Sequence, residues 1–274
     1  MRVLPLLLLS LVLFPLSSRA EDLVTIKNEQ LAVTLAKRGA ELQNILHVPT
    51  GTEYLWQGDP DFWAARSPNM FPVNVRFKDH KFSYKGKEYE MPFLGLVFDA
   101  ELEVVAGEDS TQVLHVLESS PDTLKQYPFP FRYQILSQVV GTELIQQYTI
   151  TNTGTEMMYF ALGGHPGFRT PLDKKRGRED YEYVFSELMT IDRPVILEGM
   201  HRKYRVPFLD NEDRISLDDS RVPNGGMFLM EHPSRRIGIG LKGEAPYVTV
   251  HLDDFPNTNL WSPPGMPYAC IEPM

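Results

Sequence analysis

The chain has 274 residues, 42% of them hydrophobic, with 36 acidic against 27 basic side chains for a net charge of −9. So acidic a chain is a poor partner for nucleic acid, because binding phosphates requires clustered Lys and Arg. The single cysteine, Cys270, excludes an internal disulfide, so stability has to come from a hydrophobic core, for which the length is ample.

The first twenty residues, MRVLPLLLLSLVLFPLSSRA, place Arg2 ahead of an apolar run from Val3 to Leu16 and small residues ahead of Glu21. That is the layout of a secretory signal peptide. The run is short for a spanning helix and contains Pro5 and Pro15, and no later segment is apolar enough to cross a membrane. The expected organisation is a signal over residues 1–20 and one domain over 21–274, exported to a periplasm or the medium and free of the membrane after cleavage. Loss of Arg2 and Arg19 leaves 25 basic residues against 36 acidic, a net charge near −11. The absence of an Asn-x-Ser/Thr sequon points to a bacterial periplasm rather than a glycosylating route.

Short alternating runs follow. LVTIKN and LAVTLA lead into AELQNILHV, and PTGTEYLWQ reads as a turn feeding another strand. HKFSYKGKEYEM predicts a hairpin around Lys85-Gly86, and DAELEVVAGEDSTQVLHVLES predicts another around Gly107-Glu108-Asp109. FRYQILSQVVGTELIQQYTITNTG turns near Gly141-Thr142, and RRIGIGLKG and PYVTVHL continue the pattern. Period-2 patterning on this scale predicts antiparallel sheets with one buried face, and 22 prolines with no helical stripe exclude a helical protein. A β-sandwich or barrel follows, with TPLDKKRGREDYE as an exposed loop.

Chemistry concentrates in a few places. FALGGHPGFRTP sets His165 between Gly163-Gly164 and Pro166-Gly167, a frame both permissive and stiff. On the residues alone it is either a loop with a histidine in it or a mount for an imidazole. GTEYLWQGDPDFWAARSPNMFPVNVRF gathers Tyr54, Trp56 and Trp63 near Arg66 and Arg76. Aromatic faces with a polar rim hold sugar rings, and the same residues fill cores. LWSPPGMPYACIEPM ends with Glu272 among apolar neighbours, either an exposed residue near the chain end or a carboxyl whose pKa is raised into the range of a base. The seven histidines are scattered, and none forms a His-x-x-x-His pair.

RGAEL, EYLWQGDPDFW, MFPV, YPFPFRY, GGHPGF and CIEP stand in order along the chain. Together they resemble the aldose 1-epimerases, or galactose mutarotases, and most closely the branch with a Gly-Gly-His-Pro-aromatic stretch. The resemblance implies an all-β antiparallel β-supersandwich with a monosaccharide or sugar derivative bound on its concave face. It implies interconversion of α and β anomers, with Glu272 as the base at the C1 hydroxyl and His165 as the acid at the ring oxygen. Arg76 falls at a substrate-binding arginine, and Trp56 and Phe168 are the aromatic candidates for the sugar. No metal or cofactor is implied, because the chemistry is two proton transfers.

Two departures accompany the likeness. Leu94-Gly95-Leu96-Val97-Phe98 stands where the family carries a His-Gly-Phe-Ala-Arg-like run, so a second histidine is replaced by Leu94 and a basic residue by Phe98. Family members also continue beyond the Glu-Pro, where this chain stops at Met274. The alternative reading is a carbohydrate-binding protein with impaired catalysis on the same scaffold. A third is an enzyme whose Leu94-Phe98 wall suits a larger or less polar sugar. The oligomeric state is left open.

Overall fold

Alternation becomes pairing almost throughout the chain. A computed structural model describes residues 22–197, 200–221 and 224–274, and the expected signal over residues 1–20 lies outside the described residues. Leu23–Lys27, Leu31–Ala36, Leu42–His47 and Thr52–Glu53 form one antiparallel sheet in chain order. PTGTEYLWQ contributes that last short pairing and then a single antiparallel bridge from Leu55 to Phe168, with the Trp56 N–H donating to the Gly167 carbonyl at 2.8 Å.

The predicted hairpins are present. Lys81–Tyr84 pairs with Lys87–Glu90 across Lys85 and Gly86, both at positive φ (48° and 76°), the conformation that a two-residue turn needs to match the strand twist. Glu103–Ala106 pairs with Gln112–Glu118, which pairs with Phe131–Val140, which in turn pairs with Glu143–Asn152. Of the expected exposed loop 170–182, only residues 173–176 and Glu179 are exposed, whereas Thr170, Tyr181 and Glu182 are buried and Arg178 folds inward onto Ser262 and the Leu217 carbonyl. The sequence reading did not anticipate the longest ladder, Tyr181–Leu197 against Met200–Ser216, whose register shifts break the simple alternation.

Two sheets make the sandwich that carries the site. One runs Gly167–Arg169, Tyr268–Pro273, Thr258–Trp261 and Gly226–Leu229. The other runs Met200–Ser216, Tyr181–Leu197, Arg236–Leu241 and Pro246–His251. Between them lies a core that includes Phe168, Tyr183, Phe185, Ile237, Ile239, Leu260, Ala269 and Ile271. Each fully buried Ile or Phe of this kind stabilises the fold by about 1.5–3 kcal/mol relative to exposure. YPFPFRY shows the same logic in a second core, where Tyr127, Phe129, Phe131 and Tyr133 all turn inward.

One core residue is out of keeping with its surroundings. His115 is fully buried on Gln112–Glu118, opposite Ile135, and neither ring nitrogen has a hydrogen-bond partner. Burial disfavours the cation and lowers its pKa to about 4. The unfolded chain takes up a proton near pH 6.5 while the folded chain does not. The contribution is therefore complete above about pH 6.5 and lost as pH falls towards about 4. Urea midpoints across this window should fall less steeply for His115→Leu than for the wild type. Equal slopes would show that this imidazole is not held neutral.

Candidate active site

The strand Tyr268–Pro273 presents alternate residues to two faces. Ala269 and Ile271 enter the sandwich core, whereas Cys270 and Glu272 turn to the opposite face. On the neighbouring strand, register sets Asn259 opposite Glu272 and Trp261 opposite Cys270. Asn259 Nδ2 donates to Glu272 Oε1 at 2.8 Å. Glu272 is fully buried, and its Oε2 accepts no hydrogen bond.

His165 reaches this face from the other side. Gly163 and Gly164 pair with Met70 and Asn69, and His165 N–H donates to the Pro68 carbonyl at 2.9 Å. Gly163 is required by close approach, since a Cβ there would stand 2.7 Å from the Pro273 carbonyl oxygen. Gly167 is required likewise, because a Cβ would meet the Trp63 ring at 2.7 Å. The glycines thus let the histidine segment lie against the strand that carries Glu272. His165 Nε2 comes 3.5 Å from Glu272 Oε2, long for a hydrogen bond and of the looseness common in sites without substrate.

Tryptophans enclose the imidazole. The Trp63 ring lies 4.9 Å from it, tilted, and the Trp261 ring 5.5 Å away, edge-on. Only 12% of the His165 side chain is exposed and 1% of that of Glu272. Burial lowers the His165 pKa to about 4 and pushes that of the Glu272 carboxyl well up, against a smaller downward pull from the Asn259 hydrogen bond. Both shifts favour the neutral form of each partner.

The remaining candidates divide. Trp56 is buried beside Tyr268 and Cys270, with its indole N–H donating to the Trp63 carbonyl at 2.7 Å. It therefore backs the aromatic wall, while Trp63 and Trp261 flank the histidine. The structure does not bring Phe168 to the pair. Phe168 lies opposite Ala269 and packs into the sandwich core, because the pair beside it, Gly167 and Cys270, takes the Glu272 face. Arg76 is exposed and has no hydrogen bond or ion pair among the described residues. It follows Asn74, whose buried Oδ1 lies against Gly163, and Val75, which packs with Leu94, so segment 74–76 lies beside the site.

Leu94 and Phe98 do form an apolar wall. Leu94 packs with Met70 and Met274, and with the partly buried Val75, Phe98 and Phe228. Phe228 lies opposite Asn259, which places this cluster next to the carboxylate. RGAEL and the polar residues near it hold the framework. The Glu41 carboxylate accepts the Arg66 and Ser67 N–H groups, and Asn69 bonds the Gly39 and Ala40 carbonyls while accepting from Tyr148 Oη at 2.6 Å. A separate aromatic cavity of about 170 Å³, lined by Phe77, Tyr84, Tyr127 and Tyr159 among others, contains neither His165 nor Glu272.

This geometry accompanies a family match over nearly the whole described chain: the aldose 1-epimerase family model covers residues 22–273. The chain belongs to the aldose 1-epimerase family. It is 29% identical over 261 residues to Protein LacX of Lactococcus lactis subsp. lactis, spanning 91% of this chain and 86% of LacX. Among solved structures it resembles a galactose mutarotase related enzyme from Lactobacillus acidophilus, with a TM-score of 0.83 and 26% identity over 92% of this chain and 84% of that one. It also resembles a galactose mutarotase-like protein from Lactobacillus casei ATCC 334, with a TM-score of 0.80 and 25% identity over 92% and 87%. The antiparallel β-sandwich expected from the sequence is the fold these relatives share.

Asn259 and Trp261 were missed in the sequence. Their signal was the alternation in TNLW, legible once SPPGMP is read as the turn joining two paired strands. The raised Glu272 pKa has a consequence for stability. The unfolded chain loses this proton above about pH 4.5 while the folded chain retains it, so the contribution declines as pH rises through that range. Glu272→Gln removes the titration. Its urea midpoint should gain on the wild type as pH rises above about 4.5, and a gap independent of pH would place an ordinary carboxylate at 272.

Proposed function

We propose that the protein interconverts the α and β anomers of a free aldose by acid/base ring opening, with His165 and Glu272 as the catalytic pair. The observation that carries this reading is the 3.5 Å approach of His165 Nε2 to Glu272 Oε2 on one face of a sheet. The two oxygens that exchange protons in mutarotation, the C1 hydroxyl and the ring oxygen, are bonded to the same carbon. An acid and a base acting on them must therefore be neighbours, and these are.

In the cycle Glu272 takes the C1 hydroxyl proton while His165 gives a proton to the ring oxygen. The bond from C1 to the ring oxygen breaks and the open aldehyde forms. Rotation about C1–C2 presents the other carbonyl face, and closure returns both protons. The cycle starts with a proton on His165, whereas burial favours the neutral form of each partner. Transfer across 3.5 Å makes an ion pair without changing the net charge of the site, and bound sugar hydroxyls favour that charge-separated form. Trp63 and Trp261 offer ring faces to the sugar, and Arg76 offers an unengaged guanidinium for its hydroxyls. We propose in the same terms that the chain is exported, as its first twenty residues imply.

The second reading, a carbohydrate-binding protein with impaired catalysis, is favoured by one observation: Leu94 and Phe98 give the site apolar carbon where the family carries donors. Polarimetry of fresh α-D-glucose and α-D-galactose separates the two. The enzyme accelerates the change in rotation, and Glu272→Gln and His165→Ala each lower kcat by about 10²–10⁴-fold while Glu272→Gln leaves sugar affinity largely intact. Binding without acceleration, unchanged by Glu272→Gln, would establish the binder. For the enzyme, the pair works with one proton and fails with two, so the acid limb of kcat/KM lies near pH 4 rather than at the usual histidine value of 6.5.

A further inference from the structure

We propose that His165, Cys270 and Glu272 form a site for a single thiophilic divalent cation of the Zn²⁺ class, whose binding takes the acid/base pair out of use. One donor atom from each of the three residues lies within 4.8 Å of the other two. Cys270 and Glu272 occupy alternate positions of Tyr268–Pro273 and share its outer face, and His165 meets them from the Gly163–Gly164 side. Nitrogen, sulfur and oxygen from three side chains, with a fourth position open, is a zinc ligand set. The sulfur disfavours hard cations such as Mg²⁺ and Ca²⁺.

A further feature points to a ligand. Glu272 Oε2 is fully buried without a hydrogen-bond partner. A buried polar atom without a partner costs about 1–3 kcal/mol, which a cation at the centre of the cluster would offset for the carboxylate. Only a small closure is needed. Ligand distances of about 2.0–2.3 Å put tetrahedral donors about 3.3–3.8 Å apart. The 3.5 Å between His165 Nε2 and Glu272 Oε2 already meets this, and the widest separation has to close by about 1 Å.

The site rests on the positions of the donors. Its effect on turnover rests on the function proposed above, because the metal would occupy the same imidazole and carboxylate that exchange protons with the sugar. The cluster is not legible in the sequence, since its members come from segments about a hundred residues apart and Cys-x-Glu is no metal motif by itself.

The test is calorimetric titration of the purified protein with Zn²⁺ alone, beside the electronic spectrum with Co²⁺ alone. The wild type should bind about one Zn²⁺ per chain, weakened about tenfold or more in Cys270→Ser and in Glu272→Gln. Co²⁺ should produce an intense near-ultraviolet thiolate-to-metal band in the wild type and none in Cys270→Ser. The wild-type band decides the matter even if the buried serine prevents folding. Zn²⁺ affinity indifferent to both substitutions, or a Co²⁺ complex without the thiolate band, would overturn the site. Zn²⁺ bound by a protein that never accelerates mutarotation would uphold the site and refute the function. Acceleration without Zn²⁺ binding would do the reverse.

Discussion

A carboxyl group held out of water, with one hydrogen bond from Asn259 and an imidazole 3.5 Å from its other oxygen, is the constraint around which this protein is arranged. Burying Glu272 on the outer face of Tyr268–Pro273 requires that face to be covered. The cover is Trp63, Trp261 and Tyr268 on one side and Leu94, Phe98, Phe228 and Met274 on the other. The glycines around His165 follow from the same requirement, because any larger residue at 163 would strike the carbonyl of the residue after Glu272. An uncompensated buried carboxyl is a cost that stability alone would remove, and functional sites are where such costs persist.

The electrostatics of the pair are set by burial more than by mutual attraction. Each partner is pushed towards its neutral form, an acid and a base of unlike chemistry set side by side. A ring-opening isomerisation draws on such an arrangement, since it takes a proton from one oxygen and delivers one to another and ends with the site as it began. The apolar wall bears on specificity in place of chemistry. Leu94 is locked in a buried turn at φ 63°, with its N–H donating to the Val75 carbonyl at 2.7 Å. A sugar hydroxyl directed there finds no partner, and losing such a hydrogen bond costs about 0.5–1.5 kcal/mol.

Much of the fold was legible because its strands are amphipathic and its turns carry the residues their geometry demands. Lys85-Gly86 and the turn near Gly141 were readable as hairpins for that reason. The ladder of Tyr181–Leu197 with Met200–Ser216 was not, because its register shifts interrupt the period on which such a reading depends. At the site, Glu272 was legible as a carboxyl among apolar neighbours, but that it shares a face with Cys270 was not read. The register against Gly167–Arg169 was not available from one sequence, and a shift of one residue separates a wall of the site from its opposite face. That is why Phe168 read as a sugar contact and proved to be core, whereas Trp261 passed unnoticed. Trp56 read as a sugar candidate and is buried beside Tyr268 and Cys270, while Trp63 and Trp261 flank the histidine, an order of layers that is a property of packing.

Two-dimensional exchange NMR on an equilibrated solution of the sugar tests the central claim most directly, because it observes interconversion with no net reaction. With the protein present, cross-peaks between the α and β anomeric protons should appear at mixing times where the sugar alone shows none, while the anomer ratio stays unchanged. Sugar resonances that broaden on binding, with no such cross-peaks for any aldose tried, would contradict the account and leave a site that holds sugars without opening them.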